Sequence, residues 1–357
     1  MTTLISLLTV VAALWLVTRF VLRGPSQAAF DKPTHGLASD RTEPSAEHQQ
    51  VTAALEALFA AADPGSGKEQ LQQTRARMDQ MGEMNAVVGE VRAVDAGGVP
   101  AEWVLPTDPI AGRRMLYIHG GAFVVGSPRS HRAATTEFAD RFRAAVLAID
   151  YRLMPEHPRR AGIEDCRAAY RWLLDNGPNG PEALSELLMA GDSAGGNLAL
   201  VTAAWARDEG LRPANAIVAI SPSTDSTMSS PSLVANQHRD VMLGPFLRPM
   251  LKVPPALRLW MLWLGNRIRP ASPLVSPLHG QLAGLPPVLV HASDSEMIRD
   301  DAIRYVNKAK AAGSPVELGL WPDVLHAWHI FVRTVPEAQE AFDHIEHFVA
   351  KHLDSHV

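Results

Sequence analysis

From about residue 86 to the C-terminus, short continuously apolar runs alternate with amphipathic helical ones, and this rhythm limits the available folds more than any other feature. Runs rich in aliphatic and β-branched residues are expected as strands at 86–94, 101–105, 115–118, 145–149, 187–190, 214–220, 288–291 and 315–320. Helical spacing is expected at 132–143, 162–174, 194–208, 301–312 and from about 337. Strands that are apolar on both sides need cover on both sides, and a strand–helix–strand repeat supplies it. The expectation is an α/β protein with a mostly parallel central sheet and helices on both faces. The first two strands read as an antiparallel edge.

The remainder divides around that unit. Residues 1–23 carry an apolar segment, 24–50 a polar linker broken by Pro25, Pro33 and Pro44, and 51–84 two helices of a cap. Residues 85–357 form the main α/β domain. Within it, 223–273 contains no convincing strand, is rich in Pro, Met and Trp, and sits between two sheet strands, where a cap insertion is built. Its run 246–263 is apolar and basic, which suits a lid helix packing inward or a surface resting on a membrane.

Residues 4–22 are apolar enough for a retained membrane anchor if Arg19 snorkels. Arg19 and Arg23 follow the apolar run, which favours a cytoplasmic position for the α/β domain. The competing reading is a signal segment cleaved near Ser26-Gln27-Ala28, giving a secreted or periplasmic protein, although the start lacks positive charge. With 33 basic against 38 acidic residues and no basic stripe, nucleic acid is excluded as a partner. A homodimer is left open. Cys166 is the only cysteine, so no disulfide forms within the chain.

Chemistry concentrates at three places. Gly191-Asp192-Ser193-Ala194-Gly195 lies between an expected strand and an expected helix, so its glycines permit a tight turn that lifts the Ser193 hydroxyl above the sheet. His119-Gly120-Gly121-Ala122-Phe123 follows a strand directly. The amides of Gly120 and Gly121, with that of Ala194, are placed to donate to a developing oxyanion, each donor being worth about 3 kcal/mol of barrier. A serine needs a base, and His326 stands on the loop after the last strand, back over the carboxyl edge of the sheet. The base needs an acid, and the loop after 288–291 offers Asp294 and Glu296, whereas Asp300 and Asp301 suit the first turn of the following helix. His329 beside His326 suggests a metal pair, but no Cys or carboxylate cluster supports one, and neither metal nor cofactor is expected.

Together with Asp150-Tyr151-Arg152-Leu153-Met154-Pro155-Glu156-His157-Pro158 and Ser276-Pro277-Leu278, these motifs make the chain resemble the hormone-sensitive-lipase-like, or HGGG, esterases from about residue 86 onward. The resemblance implies an α/β-hydrolase fold with a helical cap, nucleophile Ser193, base His326 and an oxyanion hole at Gly120, Gly121 and Ala194. It places the acid first in an acid-x-Leu-x-Asp pattern, which Glu296-Met297-Ile298-Arg299-Asp300 fills with Glu for Asp and Ile for Leu. Asp294 stays the alternative acid. Ala122 replaces the third glycine of the fuller motif, and the apolar N-terminal segment also resembles the arylacetamide-deacetylase branch.

The expected activity is hydrolysis of a small carboxylic ester, of short to medium acyl length, through an acyl-enzyme. A serine amidase or deacetylase would use the same triad. A ligand-binding member that has lost catalysis, or a membrane-tethered interaction protein, is the rival of another kind.

Overall fold

The computed structural model describes residues 2–33, 38–41, 43–60, 67–83 and 89–353. Its centre is an eight-stranded sheet built from β1 (Glu90–Asp95), β2 (Pro100–Leu105), β3 (Arg113–Ile118), β4 (Ala145–Ile149), β5 (Glu186–Asp192), β6 (Ala216–Ile220), β7 (Val288–Ser293) and β8 (Val316–Trp321). The strand order is β1-β2-β4-β3-β5-β6-β7-β8. β1 and β2 are antiparallel to their neighbours, and all other pairings are parallel. Part of the strand expected at 86–94 lies outside the described residues, and the rest is β1.

Helices cover both faces because alternate side chains of each strand point to opposite sides. Leu116 and Ile118 of β3 face a core shared with Ile163, Tyr170, Leu198 and Tyr305. These come from α5 (Arg159–Asp175), α6 (Ala194–Asp208) and α10 (Arg299–Ala311). Met115 and Tyr117 face the opposite core with Phe138, Phe342 and Ile345, from α4 (Arg132–Phe142) and α11 (Pro336–Leu353).

The insertion between β6 and β7 is helical: a turn at α7 (Ser232–Ala235), then α8 (Gly244–Leu251) and α9 (Pro255–Asn266). Pro254-Pro255 opens α9, where a missing N–H costs nothing, and Arg267 in the left-handed region closes it. Leu247 and Leu251 of α8 pack on Met297 and Ile298, directly after Glu296. α9 does not bury all of its apolar residues: Leu259 is buried, while Leu257, Met261 and Leu264 are exposed.

Before the sheet come α1 (Thr2–Leu16), a π-helical turn (Val17–Leu22), α2 (Ala46–Ala60) and α3 (Lys68–Glu83). Leu22 is fully buried, and Trp260 Nε1 of α9 donates to Thr18 Oγ1 at 2.8 Å. Among the described residues no helix is long and apolar enough to cross a membrane; fifteen α-helical residues rise only about 22 Å against a hydrocarbon core of about 30 Å. The described part of the linker is strapped to the domain. Arg304 grips Asp31, the Ala38 amide donates to Leu320 O on the edge strand β8 at 2.7 Å, and Arg41 pairs with Glu340. An open strand edge offers unpaired backbone groups, and the linker covers part of it.

Candidate active site

Ser193 sits between β5 and α6 with φ of +52°. So tight a turn works because the residues two before and two after it, Gly191 and Gly195, have no side chains. A Cβ on Gly191 would lie 2.6 Å from the Gly195 backbone, and one on Gly195 would lie 1.9 Å from Ile118 O. The elbow is thus pressed against the end of β3. Ser193 N donates to Ile220 O at 2.7 Å, which fixes it to β6 as well.

His326 Nε2 lies 2.8 Å from Ser193 Oγ, and His326 Nδ1 lies 3.0 Å from Glu296 Oε2. His326 and Glu296 are both buried. Burial pushes the imidazole pKa down, but the charge and hydrogen bond of Glu296, with smaller contributions from Asp240 and Asp192, outweigh it and raise the pKa above its ordinary value. Glu296 Oε1 in turn accepts hydrogen bonds from Ser221 Oγ at 2.6 Å and Ser293 N at 2.8 Å. Asp294 turns away: its Oδ1 accepts from the Asp323 amide at 2.9 Å and faces the partly exposed Arg239. Asp300 and Asp301 occupy the first turn of α10 and bond to the cap insertion.

The loop after β3 departs from expectation at one atom. Gly120 N donates to Asp192 Oδ1 at 3.0 Å, so this amide is spent on a carboxylate and is not free for an oxyanion. Asp192 is buried and needs donors. It receives Tyr117 OH at 2.8 Å and lies 3.4 Å from His131 Nε2. Burial alone would raise its pKa, but His131 and Tyr117 hold it down at about 2. Gly121 follows with φ of +111°, where a Cβ would meet Val125 O at 2.1 Å. Ala122 and Phe123 are also left-handed, at +53° and +66°. Ala194 is the first residue of α6, so its N–H has no partner within the helix.

Several supporting residues carried no sequence signal. His48 Nε2, on α2, accepts the Leu325 amide at 2.9 Å, one residue before the base. Asp240 Oδ2 accepts the Met297 amide at 2.8 Å, one residue after the acid. A cavity of about 500 Å³ opens on the Glu296–His326 side, walled by His48 and Thr52 of α2 and by Asp240 and Val241. Nothing local marks such residues, because each acts through a partner distant in the chain. His329 does not join His326: it is buried against His291. Among the described residues no group of three or more His, Cys, Asp or Glu side chains could hold a metal.

A serine on a strand–turn–helix elbow, a histidine returning after the last strand and an acid between them define a hydrolase of the α/β type. A family model described as alpha/beta hydrolase fold matches residues 115–330, and the chain belongs to that family, within it to the hormone-sensitive-lipase-like esterases. It is 38% identical over 264 residues to an acetyl-hydrolase of Streptomyces hygroscopicus, covering 73% of this chain and 82% of that one. Among solved structures it is similar to EstE5 soaked with p-nitrophenyl butyrate (TM-score 0.73, 34% identity, 87% of this chain and 99% of that one). It is likewise similar to an esterase from the bacterial hormone-sensitive lipase family (TM-score 0.74, 32% identity, 87% and 100%).

Proposed function

We propose that the chain is a serine carboxylic-ester hydrolase for acyl groups of short to medium length. The observation that carries this reading is the unbroken relay from Ser193 Oγ through His326 to Glu296 Oε2, with contacts of 2.8 and 3.0 Å. Ser193 Oγ attacks the ester carbonyl carbon while His326 Nε2 takes its proton. Glu296 keeps the Nδ1 proton pointed at itself and stabilises the imidazolium. The amides of Gly121 and Ala194 donate to the oxyanion. As the carbon–oxygen bond to the alcohol breaks, His326 returns the proton to the leaving oxygen. Water then attacks the acyl-enzyme by the same route and frees Ser193. The cap helices α2 and α8 border the acid and base and so limit the acyl group that fits.

The relatives support the ester class, one being named an acetyl-hydrolase and one having been soaked with a p-nitrophenyl ester. The test is turnover of p-nitrophenyl esters of increasing acyl length by the full chain beside Ser193→Ala, which should lose about a millionfold in kcat. A folded chain that cleaves none of these esters but does cleave the matching anilides would move the reading to a serine amidase or deacetylase.

For location, the same proposal lays α1 in a lipid interface. Ile5 (55% exposed), Leu8 (60%) and Trp15 (61%) leave its apolar surface bare, and a helix that is apolar all round needs an apolar medium. Phosphatidylcholine vesicles should carry the full chain on flotation and lose it on combined Leu8→Ser, Val11→Ser and Trp15→Ser substitution. Flotation that ignores these changes would rule the contact out.

A further inference from the structure

We propose that Ser221 is a positioning residue that holds the triad acid and the loop of the triad base in one register. This rests on the triad reading above and goes beyond it. Ser221 follows β6 and is 1% exposed. Its hydroxyl lies 2.6 Å from Glu296 Oε1 and 3.1 Å from the amide of Ala327, the residue after His326. An amide can only donate, so the Ser221 oxygen accepts from Ala327 and its proton points to the carboxylate. One hydroxyl therefore ties the acid to the base loop by a route separate from the imidazole.

The arrangement answers a problem specific to glutamate. Compared with aspartate, Glu296 has one more rotatable bond, so presenting Oε2 to His326 requires that Oε1 be pinned. Ser221 Oγ and Ser293 N, the latter at 2.8 Å, pin it from two elements. Hydrogen bonds to a carboxylate are among the stronger ones in proteins. The same residue is joined to the nucleophile's side of the site, because the preceding Ile220 O accepts Ser193 N at 2.7 Å and Ser221 N donates to His291 O at 2.7 Å.

The backbone points the same way. Ser221 has φ of +45°, a conformation that glycine adopts without penalty and serine does not. Strain of this kind persists where the surrounding structure imposes it, and it concentrates at functional sites. What serine adds over glycine at this position is the hydroxyl.

The experiment compares Ser221→Gly and Ser221→Ala with the unmodified chain in kcat, KM and the pH profile of kcat/KM for p-nitrophenyl butyrate, with Ser193→Ala beside them. Glycine relieves the left-handed backbone, so it stays folded even if alanine does not. Both variants should lower kcat about tenfold or more at nearly unchanged KM, the size expected for losing a hydrogen bond to a charged group. The acidic limb should move to lower pH, because His326 loses the fixed carboxylate that holds its proton. Added to Glu296→Gln, Ser221→Gly should cost little more, since both act through one side chain. Unmodified kcat and an unmoved acidic limb in folded Ser221→Gly overturn the positioning role and leave the triad standing, provided that Ser193→Ala is inactive. Turnover that survives in Ser193→Ala overturns both.

Discussion

Glu296 meets His326 through Oε2 at 3.0 Å, whereas Asp294, two residues earlier on the same loop, points out toward Arg239 and the Asp323 amide. The two carboxylates are neighbours in sequence and opposites in direction. Glu296→Gln should therefore lower kcat about 10⁴-fold, as loss of the orienting acid does in related triads. Asp294→Asn should leave kcat nearly unchanged. Steady-state kinetics on a p-nitrophenyl ester decide it, and the reverse ranking would make Asp294 the acid.

The pH profile follows from His326. Its pKa is raised, the burial that lowers it being outweighed by Glu296. The base must be neutral to act, so the acidic limb of kcat/KM should lie above pH 6.5. In Glu296→Gln, whatever activity remains should show that limb displaced to lower pH. A limb at or below 6.5 in the unmodified chain contradicts the coupling.

His48, on α2 and outside the central sheet, braces the loop that carries His326. Its Nε2 accepts the Leu325 amide, and burial lowers its pKa, in keeping with a neutral acceptor. His48→Ala leaves that amide without its partner and should cost about 1–3 kcal/mol. Thermal melting should record the loss together with a fall in kcat, since the freed residue adjoins His326. An unchanged melt and unchanged kcat would show that α2 does not brace the loop.

Two glycines should respond in opposite directions. A Cβ on Gly195 meets Ile118 O at 1.9 Å, so Gly195→Ala should destabilise by about 1–3 kcal/mol or more and dislodge the elbow. Gly265 lies within α9 with nothing within 4 Å of its Cβ position. There Gly265→Ala should stabilise by about 0.5–1 kcal/mol through reduced backbone entropy. Denaturant midpoints for the pair read both signs at once.

A buried histidine chain should make stability acid-sensitive. His291 Nδ1 lies 2.9 Å from His329 Nε2, and His291 Nε2 lies 3.0 Å from His344 Nδ1. Burial lowers all three pKa values, that of His329 to about 3. The unfolded chain thus binds more protons than the folded one below about pH 6.5. Their contribution is complete above that pH and is lost as pH falls, at about 1.4 kcal/mol per unit for each fully suppressed group. His131 and His326, whose values are raised, oppose this trend. Urea unfolding at pH 7.5, 6.0 and 5.0 should accordingly show a shallower loss in His329→Gln than in the unmodified chain, and equal slopes would dismiss the chain as a source.

Much of the fold was legible because its signals are local. Continuous apolar runs such as 145–149 have no polar face and so require helices above and below, and β4 is buried throughout. The elbow was legible for the same reason: a strand, two glycines flanking Asp192-Ser193-Ala194 and a helix lie within one short stretch. The helical insertion over residues 223–273 was legible from its composition, but not the exposure of Leu257, Met261 and Leu264 on α9.

The amino-acid sequence by itself determined the α/β alternation and singled out Ser193 on its elbow and His326 on the loop after the last strand, since each depends on residues close in the chain or on strand order alone. Only the tertiary structure decided that Glu296 and not Asp294 faces the base, that Asp192 takes the Gly120 amide, that Ser221 bridges acid and base loop, and that His48 caps Leu325. The physical reason is that a loop side chain takes its direction from the donors and charges packed around it. Those partners come from other strands and helices, dozens to hundreds of residues away, and are assembled only when the sheet closes.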